Sequence, residues 1–253
     1  MYTRKDFQVP NIANAPVSEE RIRKIFYIFG RNSLNYKTMV ELESWKVLSV
    51  SQYTFAKVIS HASKVGILEK EDGAYHLSGV SQEYFDGRIC YKEYMREIVG
   101  GDEKLYRIWS IIGLLLSFFG GKMKKRTISY IFSAIGTGRS DKSALHSVGR
   151  NLAPVYNMLC HSGYTVCGES NIILQQQDKI QDLFAGKQVL TVNDIRRVFS
   201  QYFEREVIEE MLSVVSTFEY ERYVWSKSSL YKNQGEIRNL DGDYIMAVMK
   251  QFE

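Results

Sequence analysis

Residues 51–77 read SQYTFAKVISHASKVGILEKEDGAYHL, and this stretch sets out a helix, its stop and a hairpin in one pass. Ser51 has the side chain of an N-cap, and Phe55, Val58, Ile59, Ala62 and Val65 recur at helical spacing. Gly66 supplies the left-handed residue that ends such a helix. A hairpin follows at once, because Asp72-Gly73 is the dipeptide a type I′ turn favours and Ile67, Leu68, Tyr75 and Leu77 flank it.

Upstream, SEERIRKIFYIFG opens with Ser18 as a cap and places Ile22, Ile25, Phe26 and Phe29 on one stripe. A second helix is expected over Thr38 to Val47. Residues 18–77 therefore run helix, helix, helix, strand, turn, strand. Downstream, a long helix from Glu103 carries Leu105, Trp109, Ile112 and Leu116, and Thr127 to Ile135 reads as another. A helix is then expected to open near Asn151, with Pro154 in its first turn, and to stop near Gly163. Tyr164 to Cys167 and Ile172 to Leu174 resemble a hairpin around Glu169-Ser170-Asn171. A fainter third series comprises helices near Asp178–Phe184, Thr191–Val198 and Glu204–Val215, a strand over Tyr220–Trp225 and a closing helix over Asp241–Phe252.

Element order and the GILEK-ED-GAYHL hairpin resemble the winged-helix superfamily, most specifically over Ser18 to Leu77 and loosely over Glu103 to Leu174. The fold expected is mainly α with short β-hairpins, as tandem winged-helix domains at 1–87, 88–175 and 176–253. The resemblance implies DNA binding through a recognition helix at Ser51–Val65 and a wing at Leu68–Leu77, or use of the same scaffold for protein assembly. Glu69, Glu71 and Asp72 depart from the basic wing of many DNA binders.

Composition agrees with a folded chain: of 253 residues, 45% are apolar and 25% charged, with three prolines. The apolar run Ile108–Phe119 falls short of the about 20 residues that span a bilayer. No basic-then-apolar leader opens the sequence, so a cytoplasmic protein is expected. Cys90, Cys160 and Cys167 are odd in number and form no CxxC pair, which reads as small buried thiols in a reducing compartment. His161 beside Cys160 and Cys167 lacks a fourth ligand, so no metal and no cofactor is expected.

Charge is uneven. Residues 88–150 hold 12 lysines and arginines against 5 acids, a net +7, whereas 175–253 hold 10 against 13, a net −3. The candidate DNA-binding residues are Gln52, Tyr53, Lys57, His61 and Lys64, on the face of the 51–65 helix opposite its apolar stripe. Gln can pair with adenine edges, and Lys and Tyr can meet phosphates; an ordinary solvated helix face is the alternative. Lys122, Lys124, Lys125 and Arg126, extended by Arg139, Lys142 and Arg150, would attract a phosphate backbone without reading sequence. Tyr220, Tyr223 and Trp225 in the acidic end are candidates for a protein interface.

Residues 136–143, GTGRSDKS, come within one residue of a phosphate-binding loop, but Asp141 stands where that loop needs glycine. A helix-capping loop is the better reading. GxSxG, HExxH and paired-carboxylate nuclease patterns are missing, so no enzyme is expected. The expectation is a non-enzymatic subunit that binds double-stranded DNA and docks on a protein partner. The rivals are a structural accessory subunit resembling those of chromosome-organising or genome-defence ATPase complexes, and a replication initiator or transcription regulator.

Overall fold

The computed structural model describes residues 1–118, 121–139, 141–175, 192–215, 223–227 and 245–249. It is mainly helical, with small antiparallel sheets. The first series runs α1 (Glu19–Phe29), β1 (Leu34–Asn35), α2 (Tyr36–Glu41), α3 (Gln52–Lys64), β2 (Leu68–Glu71) and β3 (Ala74–Leu77). Then come α4 (Gly79–Phe85) and α5 (Tyr91–Gly101). The second series is α6 (Glu103–Phe118), β4 (Lys122–Lys124), α7 (Lys125–Thr137), α8 (Lys142–His161), β5 (Thr165–Cys167) and β6 (Asn171–Leu174). Last are α9 (Val192–Phe199), α10 (Arg205–Val215), β7 (Tyr223–Lys227) and β8 (Ile245–Met249). The two three-stranded sheets share a strand order, β1-β3-β2 and β4-β6-β5.

Local chemistry explains the first series. Ser18 Oγ accepts from the Arg21 amide, Asn35 Oδ1 from Thr38 and Ser51 Oγ from Thr54, so three helix starts are capped by side chains. In the hairpin, Asp72 and Gly73 both have positive φ, 48° and 81°, and Leu68 pairs with Leu77. The chain divides into two compact units, one of residues 10–110 and 150–167, the other of 1–9, 111–149 and 168–253.

In the 10–110/150–167 unit, Ile22, Ile25 and Phe29 of α1 and Phe55 and Ile59 of α3 are 0–1% exposed. Complete burial of such side chains stabilises by about 1.5–3 kcal/mol each relative to exposure. A buried polar knot accompanies them. Ser81 Oγ donates to the Ile67 carbonyl (2.8 Å) and lies 3.0 Å from Ser78 Oγ and 2.8 Å from the Tyr94 hydroxyl. That chain of bonds fixes α4 and α5 behind the first hairpin.

In the 1–9/111–149/168–253 unit, the Phe7 ring lies 5.1 Å from Phe132 and 6.1 Å from Phe203, centroid to centroid. The Tyr2 amide donates to Tyr202 O and the Glu204 amide to Tyr2 O. Ile128, Ile131 and Ile135 of α7 and Val207, Ile208 and Met211 of α10 complete this core.

The elements differ from the sequence reading in several places. The helix expected at 38–47 is α2 followed by a separate 3₁₀ turn at Ser44–Lys46, because Glu43 takes a left-handed conformation between them. Helix α8 opens at Lys142 and not at Asn151, and Pro154 is interior to it. An interior proline costs about 3 kcal/mol, which burial of Leu152, Val155 and Tyr156 at 0–3% exposure outweighs. The closing helix expected at 241–252 is a strand over 245–249, paired with β7 from Tyr223↔Met249 to Lys227↔Ile245. A short apolar run such as IMAVM does not distinguish helix from strand by periodicity alone. The helix expected at 178–184 lies outside the described residues. Cys160 and Cys167, expected as separate thiols, form a disulfide, while Cys90 is free and exposed. Among the described residues no helix is long and apolar enough to cross a membrane.

Candidate nucleic-acid interface

Helix α3 turns its apolar stripe inward and presents Gln52, Tyr53 and Lys57 on its first two turns, all three exposed and Tyr53 by 72%. Lys57 Nζ stands 4.2 Å from the Tyr53 ring centroid, a cation over an aromatic face one helical turn away. The lysine also holds the phenol of Tyr53 below its ordinary pKa, chiefly by a hydrogen bond. Lys64 is exposed and reaches the Asn11 carbonyl at 3.4 Å. Neither Lys57 nor Lys64 has an acidic partner among the described residues.

His61 does not belong to this surface. It is 5% exposed, and its Nδ1 accepts the Asn14 amide at 3.0 Å, so the segment before α1 covers it. Burial first, then the charges of Lys64 and Lys57, push its pKa below the usual histidine value. A neutral imidazole satisfied by a backbone N–H is a packing element. Its position one turn beyond Lys57 made it look solvent-facing, and nothing in the local pattern announced the covering segment.

The first hairpin carries Glu69, Lys70 and Glu71 outward. His76 Nε2 lies 3.4 Å from Glu69 and Lys70 Nζ 5.4 Å from the Tyr75 ring centroid, so its one lysine is partly engaged with an aromatic neighbour.

The second basic group lies in the other compact unit, apart from Arg150. Lys122 and Lys124 are on β4, and Lys125 and Arg126 start α7. Lys124 and Arg126 are exposed, whereas Lys125 Nζ donates to the carbonyls of Gly168 and Glu169. Lys122 is half-buried. Arg139 is paired with Asp141 at 2.9 Å, which removes it from the free cations. Lys142 and Arg150 are exposed on α8 with no acidic partner among the described residues.

Asp141 caps α8: its Oδ1 accepts from the amides of Ser143 and Ala144, both at 3.0 Å. Those bonds, that to Ala144 first, hold its carboxyl below the usual range. The GTGRSDKS stretch is thus a helix-capping loop, and the amides a phosphate would need are taken by Asp141. Because α8 begins there, Ser143, His146, Ser147, Arg150 and Asn157 form an exposed polar stripe at helical spacing. Sequence reasoning missed Ser143, His146 and Ser147 because it began the helix nine residues late. The signal was Asp141 followed by Leu145, Val148 and Leu152 at helical spacing.

Of the expected protein interface, Tyr220 lies outside the described residues, and Tyr223 and Trp225 are two positions apart on β7. An aromatic group not foreseen lies in the 10–110/150–167 unit: Tyr106 stands 5.2 Å from Trp109, Trp109 4.6 Å from Tyr164, and the Arg96 guanidinium 5.3 Å from Tyr164. Among the described residues no three His, Cys, Asp or Glu side chains gather as metal ligands. Comparison with protein-family models, with curated proteins and with solved structures finds no match to this chain.

Proposed function

We propose that the chain is a non-enzymatic tandem winged-helix protein of the cytoplasm that holds duplex DNA and docks on a protein partner as a subunit of a larger complex. The tandem reading is supported by the repeated series α1-β1-α2-α3-β2-β3 and α6-β4-α7-α8-β5-β6 with its shared strand order. In that reading α3 and α8 are equivalent third helices, and each presents a polar outer face. The observation that carries the DNA reading is the set of solvent-accessible cations without acidic partners among the described residues: Lys57, Lys64, Lys124, Arg126, Lys142 and Arg150.

A mobility-shift titration with a duplex of mixed sequence, run from about 50 to 300 mM salt, tests it. If four of these side chains meet phosphates, log affinity falls against log salt with a slope of about −3.6. A slope near zero, or no binding at the lowest salt, refutes the reading.

One feature favours the rival in which these surfaces bind protein. The acidic first hairpin, with Glu69, Glu71 and Asp72, repels a phosphate backbone. A structural accessory subunit would show weak duplex affinity alone and stable co-elution with a large ATPase expressed beside it.

A further inference from the structure

We propose that Cys160 and Cys167 are a reversible redox modification site, a disulfide formed by exchange with a low-molecular-weight disulfide such as oxidised glutathione. The pair joins the last turn of α8 to the end of β5 across seven positions, with Cα atoms 5.9 Å apart, inside the range a disulfide spans. Both cysteines are half-buried, within reach of a small thiol reagent. In the cytosol such bonds are characteristically transient and redox-sensing.

The segment between the cysteines is held independently of the bond. Ser162 is buried, with its Oγ donating to the Leu159 carbonyl at 2.8 Å, and Arg96 Nε donates to Ser162 O at 3.0 Å. Gly163 turns the chain at φ 76°, Tyr164 packs on Trp109 and beneath Arg96, and Thr165 is buried. The two sulfurs therefore stay adjacent when reduced, which is what lets the bond re-form after it has been broken.

In the exchange, one thiolate attacks glutathione disulfide, releasing one glutathione thiol and leaving a mixed disulfide. The second thiolate attacks the protein sulfur of that bond and releases the second glutathione. Two electrons pass from the cysteine pair to glutathione, and the two thiol protons end on the two glutathione molecules. Cys90, free and exposed at the start of α5, has no neighbouring thiol among the described residues and serves as an internal control for alkylation.

The full-length protein, incubated with oxidised glutathione, freed of it by brief gel filtration and alkylated with N-ethylmaleimide, should show Cys160 and Cys167 unalkylated and free of glutathione in the peptide mass map. After dithiothreitol both should be alkylated, and re-exposure to oxidised glutathione should protect them again. Alkylation of both after the oxidant, or glutathione retained on either, overturns the proposal. The oxidised form should melt about 5 °C above the reduced form, and Cys160→Ser/Cys167→Ser should abolish that difference while Cys90→Ser keeps it. Equal melting of the oxidised and reduced forms shows that the bond fastens nothing and overturns it as well.

The consequence for binding rests on the duplex reading above. Oxidised protein should bind duplex at least threefold more tightly, because the bond removes the residual motion between α8 and β5 that the Ser162 and Arg96 hydrogen bonds leave in the reduced form. Equal affinity of the two forms removes the link to binding. No duplex affinity in either form refutes the duplex reading, and the peptide map and melting temperatures still decide the disulfide.

Discussion

Gly136 packs so closely on the backbone of Phe7 that an added Cβ would lie 2.4 Å from its carbonyl oxygen and 2.7 Å from its carbonyl carbon. Backbone atoms cannot rotate away as a flexible side chain would. Gly136→Ala should destabilise by about 1–3 kcal/mol, measured as a lower urea midpoint at unchanged slope. The same glycine heads the near-match to a phosphate-binding loop, so close approach of backbone, and not a ligand, accounts for it. His61 gives a second prediction at this scale. Its folded-state pKa is depressed, so it stays neutral in the fold while the unfolded chain takes up protons as pH falls through about 6.5. The unfolded state then binds more protons, and stability present above that pH is lost below it. Thermal melts between about pH 8 and pH 5 should show this fall, and His61→Gln should flatten it in part, because burial also lowers the pKa of His161.

At the scale of elements, the hairpin of β2 and β3 depends on two left-handed residues in succession. Gly73 at φ 81° tolerates this and a side chain there does not, so Gly73→Ala should cost about 1 kcal/mol, seen in the urea midpoint. Asp72→Gly should be close to neutral. This hairpin, α1 and α3 were legible from sequence because cap, apolar period and turn dipeptide all lie within a few residues of the structure they specify. Helix α8 was not, since Pro154 inside it read as a first-turn residue and set the start near Asn151 until burial of its apolar face is known. Helices α4 and α5 passed unnoticed although Ser78 caps one, Asp86-Gly87 ends it with Gly87 at φ 74°, and the Cys90–Glu93 pair closes the start of the other. The Cys160–Cys167 bond was out of reach for a related reason: sequence spacing does not reveal that a tight turn returns the chain to its own helix.

At the scale of the whole molecule, charge is the property that bears on the proposed activity. Removing exposed cations one at a time should lower the salt dependence of duplex affinity in proportion, by about 0.9 in log–log slope for each phosphate no longer neutralised. Lys124→Gln/Arg126→Gln should therefore reduce the slope by about 1.8, and Lys57→Gln by about 0.9, without shifting the melting temperature. An unchanged slope in both would place the phosphate-binding surface elsewhere. The repeated element order was legible at this scale, whereas the packing of the first nine residues was not, because Phe7 meets partners as distant in sequence as Phe132 and Phe203. That placement also orders events during translation. A nascent chain has made Phe7 long before Phe203 leaves the ribosome, so an aromatic side chain destined for an interior waits in solution through most of synthesis, within reach of any chaperone that seeks exposed rings.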